Sequence, residues 1–194
     1  RIRTGYNSKA IQAGTPVTVT AGNDIIIDHC SLSWTTDENA NVWGRDTADL
    51  AQPHNVTYSW NLIAEPLKSH STSVITGANK NLSNTMTNID LHHNVLANSS
   101  HRNPLIKNKT FRFINNIVYN WSYYATQLGG GADVDIIGNL YKTGPLYPKR
   151  SSRTHEVEVF PAGNGTTPIG RPTIFLAGNI GPHNSNPDKD NWVM

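Results

Sequence analysis

The chain has 194 residues and a formal net charge of +2, with 37% hydrophobic and 15% charged residues and a single cysteine, Cys30. That balance excludes charge-driven disorder, a coiled coil, an internal disulfide framework and a multi-cysteine zinc site. It also gives no bias toward polyanions, and no apolar run reaches the roughly 20 residues of a membrane span, so neither nucleic acid nor membrane is an expected partner.

Asparagine occurs 23 times beside 15 Gly and 11 Pro. Turn formers outweigh helix formers, which predicts one β-rich, turn-rich domain over 1–194. The opening Arg1-Ile2-Arg3-Thr4-Gly5 has no initiator methionine, basic n-region or apolar h-region. A processed chain or a piece of a longer one is expected, incomplete at its N-terminus.

In chain order, six segments align when Cys30, Asn61, Asn94, Asn116, Asn139 and Asn179 share a column. Five residues before the column stand Ile25, Val56, Ile89, Phe111, Val134 and Ile174; three before it stand Ile27, Tyr58, Leu91, Phe113, Ile136 and Leu176. All are apolar, and the positions between them are mixed. This period-2 alternation marks strands with one buried face. A second apolar segment follows the column at Leu62-Ile63, Val95-Leu96, Ile117-Val118 and Leu140-Tyr141. Column spacings of 31, 33, 22, 23 and 40 residues fit rungs of unequal loop length in a parallel β-helix, an all-β solenoid whose long loops form a groove. Stacked asparagine amides would then bond from rung to rung.

The outward residues near long loops are the candidates for chemistry. Asp28, Asp37, Glu38 and Asn41 offer hard oxygen ligands of the kind Ca²⁺ takes, although an acidic surface turn has the same spacing. His29, His92, His93 and His101 do not read as zinc ligands, because adjacent strand residues face opposite ways and no His-Glu-x-x-His helix is present. Arg102 and Lys107 place two cations around Pro104, a solvated loop if alone and a clamp for an acidic sugar polymer if beside a bound cation.

The run Ile27-Asp28-His29-Cys30-Ser31-Leu32-Ser33, with Asp37 nine residues after Asp28, resembles the calcium motif of pectate lyases of polysaccharide lyase family 1. His92-His93-Asn94, Arg102-Asn103-Pro104 and Asn115-Asn116-Ile117-Val118-Tyr119-Asn120-Trp121 continue the resemblance in order, over about residues 23–145. The resemblance implies a right-handed parallel β-helix and a secreted, monomeric, calcium-dependent enzyme. Its substrate would be low-ester homogalacturonan, cleaved by β-elimination. It implies calcium ligands at Asp28, Asp37 and Asn41, a catalytic base at Arg102, and substrate contacts at Lys107 and in the stretch His70-Ser71-Thr72, which matches a family His-Asp-Lys; Lys68 is the candidate to replace the lysine missing there. Asn41 stands where the family has aspartate, Lys107 where it has arginine, and Thr72 where it has lysine; Glu38, often glycine in relatives, would compensate as a ligand. Two other readings stay open: a non-catalytic polysaccharide-binding β-helix, and a β-helix polygalacturonase with paired carboxylates.

Overall fold

The computed structural model describes residues 2–3, 15–45, 51–67, 71–78, 85–147, 154–160 and 170–194. Every pairing between its strands is parallel, and the strands fall into three six-stranded sheets. Sheet 1 holds β1 (Ile2–Arg3), β4 (Ser31–Ser33), β7 (Leu62–Ala64), β10 (Val95–Ala97), β13 (Ile117–Tyr119) and β16 (Leu140–Lys142). Sheet 2 holds β2 (Thr18–Val19), β5 (Glu38–Trp43), β8 (Thr72–Gly77), β11 (Leu105–Ile106), β14 (Thr126–Leu128) and β17 (Val157–Val159). Sheet 3 holds β3 (Asn23–Asp28), β6 (His54–Ser59), β9 (Ile89–His92), β12 (Thr110–Ile114), β15 (Asp133–Ile137) and β18 (Thr173–Ala177). Each strand pairs with the third one along the chain, so every turn of chain lays one strand on each sheet. This is the expected right-handed parallel β-helix. Among the described residues no helix is long and apolar enough to cross a membrane.

The twelve alternating apolar residues line up as two stacked columns on the inner face of sheet 3. Ile25, Val56, Ile89, Phe111, Val134 and Ile174 are in register, as are Ile27, Tyr58, Leu91, Phe113, Ile136 and Leu176. Val56, Tyr58, Ile89, Leu91, Phe113 and Ile136 are fully buried, while the end-rung members Ile25, Ile27, Ile174 and Leu176 are partly covered. Burial is thus set by having a rung on both sides.

The asparagine column is a continuous hydrogen-bonded ladder. Backbone N–H groups of Cys30, Asn61, Asn94, Asn116 and Asn139 each donate to the next column member's Oδ1, at 2.8, 2.9, 2.9, 2.8 and 2.9 Å. The side-chain Nδ2 groups reach back to the preceding rung, to Ile27 O, Tyr58 O, Leu91 O, Phe113 O and Ile136 O in turn. One buried amide therefore satisfies backbone groups that a turn would otherwise leave orphaned. A further member, Asn191 in the 3-10 turn Asn191–Val193, accepts from Asn179 N at 2.7 Å.

The bends between sheets are made by left-handed residues, repeated rung after rung. Just before the ladder, His29, Trp60, His93, Asn115, Gly138 and Gly178 have φ between 52° and 66°. Just after sheet 1, Trp34, Glu65, Asn98 and Asn120 have φ between 55° and 65°. Asparagine and glycine adopt this conformation readily, whereas His, Trp and Glu do so at some cost. Ring stacking offsets part of that cost: Trp60 lies between His29 and His93, at centroid separations of 6.2 and 4.6 Å.

Candidate active site

Sheet 2 carries most of the residues singled out in the sequence. Glu38 opens β5 opposite Thr72, the first residue of β8, and Thr72 bridges in turn to His101. Arg102 follows His101, then the cis Asn103–Pro104 bond, β11, and Lys107 immediately after it. Acidic and basic candidates thus meet at the leading edge of one sheet, on strands β5 and β11 that flank β8.

Arg102 sits in the left-handed region at φ 59°, and its backbone N–H donates to Gln127 Oε1 at 2.9 Å. Its guanidinium Nη1 donates to Glu38 Oε1, and both side chains are largely withdrawn from solvent, at 22% and 6% exposure. A charge-assisted bond of this kind holds an arginine head in place. Burial first, and then a hydrogen bond with the Asp37 carboxyl, raise the Glu38 carboxyl to about 7 against the opposing charge of Arg102. Burial, and then the charge of Arg102, push the Lys107 ammonium down.

Asn41 lies within β5, with Ile75 beside it in register. Its Oδ1 is buried and meets no hydrogen-bond donor among the described residues. An orphaned amide oxygen is expensive, and here it shares a strand with Glu38, which Asp37 directly precedes.

Asp28 is placed apart from this group. It ends β3 on sheet 3, where Ser59 Oγ donates to its Oδ1 at 2.5 Å and His29 Nδ1 contacts its Oδ2. Those bonds, Ser59 first, hold its carboxyl below the usual carboxylate range. Among the described residues, the sole group of three or more His, Cys, Asp or Glu ligand atoms within 4.8 Å of one another is His155, Glu156 and His183. Asp28 therefore does not close on Asp37 and Glu38 as a three-carboxylate cluster. The strand β4 and its two flanking bends separate them: one carboxylate leaves sheet 3, and the others enter sheet 2. His70 and Lys68 lie outside the described residues.

The contact between Glu38 and Arg102 was not foreseen, although a signal for it exists. Glu38 stands eight residues after Cys30, and Arg102 stands eight after Asn94. Equal offset from the ladder puts two residues at the same edge of the same sheet. The aligned column predicts this edge; the intervening rung's longer loop, which moves Thr72 to eleven residues past Asn61, obscures it.

No family model matches the chain. A search of curated proteins finds a probable pectate lyase C of Emericella nidulans, 30% identical over 145 residues, which is 75% of this chain and 30% of that protein. Probable pectate lyases C of Aspergillus flavus and Aspergillus terreus are each 33% identical, over 128 and 133 residues. These matches cover 64% and 66% of this chain, and 27% and 28% of the respective proteins. The chain is pectate-lyase-like. Less than a third of each of these pectate lyases is spanned by it. The pectate-lyase-like stretch includes most of the β-helix, so the same rungs that set the ladder also carry Arg102 and its carboxylate partner.

Proposed function

We propose that this β-helix cleaves low-ester homogalacturonan by calcium-dependent β-elimination, outside the cell. The observation that carries the reading is the grouping of Arg102 with Asp37 and Glu38 on sheet 2, with Lys107 near enough for their charges to interact. Cations suit the carboxylates of the sugar polymer, and clustered oxygens suit a hard divalent ion.

The residues present fit calcium at Asp37, Glu38 and Asn41. All three offer oxygen, and the Asn41 Oδ1 is buried with no donor among the described residues, while Arg102 already pairs with the Glu38 carboxylate. Asp28 belongs to this set only if it leaves Ser59 and His29. When bound, calcium withdraws charge from a galacturonate carboxylate and makes the neighbouring C5 proton more acidic.

Arg102 accepts that proton at a guanidine nitrogen once its guanidinium has released a proton to solvent, a loss that alkaline pH favours. The C5–H electron pair becomes the C4–C5 double bond, the C4–O bond breaks, and the departing oxygen takes a proton from water. A free guanidine is a poor base, with a pKa above about 12. Glu38 accepts from Nη1 and so fixes the position of the guanidine nitrogens. Lys107 holds a substrate carboxylate as a point charge.

A second reading, polysaccharide binding without cleavage, draws on the same contact, because Glu38 occupies the guanidinium that substrate would need. One experiment separates the two. Polygalacturonate is incubated with the protein in calcium, then in excess chelator, and the ultraviolet absorbance of the unsaturated product is followed. Product in calcium alone supports lyase action; retention of the polymer with no product supports binding.

A further inference from the structure

Two strands along sheet 2 from Arg102, a separate set of side chains converges. Glu156, just before β17, has no solvent exposure, yet no lysine or arginine pairs with it among the described residues. Both of its oxygens are met by His183: the backbone N–H donates to Oε1 at 2.8 Å, and ring Nδ1 lies 2.9 Å from Oε2. His155 stacks on the His183 ring, with centroids 4.5 Å apart and planes 17° from parallel. One ligand atom from each of the three lies within 4.8 Å of the others.

A buried carboxylate needs a compensating cation. A metal ion compensates the carboxylate and uses both rings. The loop is shaped to the carboxylate: a Cβ on Gly181 would fall 2.2 Å from Glu156 Oε1 and 2.6 Å from its Cγ.

We propose that His155, Glu156 and His183 form a zinc-class divalent metal site, with two imidazole nitrogens, one buried carboxylate oxygen and a fourth position for water. Nitrogen ligands select zinc, cobalt or nickel over calcium. Neighbouring ligand atoms on tetrahedral zinc sit about 3.3 Å apart, so the Glu156–His183 pair is already near that spacing and solvent-facing His155 has to swing in. The ion pins the segment carrying Gly181 and His183 onto the rung that begins at Val157. This site does not depend on the lyase reading.

The test uses the full chain stripped with chelator. Cobalt should give the intense visible bands of a tetrahedral centre, and one equivalent of zinc should displace it and raise the thermal midpoint. His155→Ala removes a ligand that makes no bond to Glu156, so it should leave the metal-free midpoint unchanged and weaken zinc binding by at least ~100-fold. Zinc bound equally well by wild type and His155→Ala, or no tetrahedral cobalt spectrum in wild type, would overturn the proposal.

Discussion

The Arg102 guanidinium donates to the Glu38 carboxylate across 64 residues of sequence, and the Glu38 carboxyl is in turn hydrogen-bonded to Asp37. Any account of Arg102 must therefore treat it as one member of a three-group centre.

If Arg102 takes the C5 proton, Arg102→Lys keeps the charge but misplaces the accepting nitrogen. The expected outcome is a fall in kcat of about 10² or more on polygalacturonate, with little change in KM. Thermal midpoint should stay close to wild type, since no core residue changes. A rise in KM with kcat intact would assign Arg102 to substrate grip.

Glu38 also sets a pH dependence. Its folded-state carboxyl is raised from the ordinary 4.5 to about 7, chiefly by burial. The folded state then binds the extra proton, so this contribution to stability is complete below pH 4.5 and is lost as pH rises through about 7. In calcium-free buffer the denaturation midpoint should decline across that window. Glu38→Gln should flatten the decline, and saturating calcium should flatten it in the wild type. An unchanged slope in Glu38→Gln would remove Glu38 as its source.

Asn116→Ala tests the ladder. The change strips the acceptor from the buried Asn94 N–H and Nδ2, and the donor from Leu91 O. Leaving buried backbone groups unpaired costs about 1–3 kcal/mol each. Equilibrium denaturation should show a loss of at least ~2 kcal/mol on that basis. A loss below about 0.5 kcal/mol, typical of surface changes, would mean that water replaces the amide.

Gly138→Ala should destabilise far more than Gly129→Ala. Gly138 has φ 65°, and a Cβ there would meet Asn115 Oδ1 at 2.4 Å; at Gly129 the nearest atom is Lys107 Cγ at 3.8 Å. Differential scanning calorimetry of the two variants provides the comparison. Equal midpoints would show that the bend accommodates a side chain.

The fold was legible because one residue type recurs at one offset from one apolar pair. Asn61, Asn94, Asn116, Asn139 and Asn179 all bond as that alignment requires, and the apolar columns stack in the same register. Sheet 2 was less legible. Its strands begin at variable distances past the ladder, and its register depends on loop length more than on pattern. Asn191 escaped notice because no apolar strand precedes it; the 3-10 turn alone brings its amide under Asn179. For the site, Arg102, Lys107 and the acidic pair were found by residue type, but their grouping depends on register. Asp28 shows the limit of spacing: nine residues from Asp37 along the chain, it belongs to a different sheet.

The ladder also has a direction in time. Each column residue's N–H waits for an Oδ1 supplied by residues made later: Asn61 for Asn94, Asn94 for Asn116, Asn116 for Asn139. During synthesis the newest rung therefore always carries an orphaned amide at its leading edge. The nascent solenoid stays unfinished on that face until the following rung emerges and settles against it. Asn191 reaches Asn179 only after twelve further residues, so the rung of Asn179 is the last of these to be sealed. Until then that rung presents an unpaired edge to its surroundings.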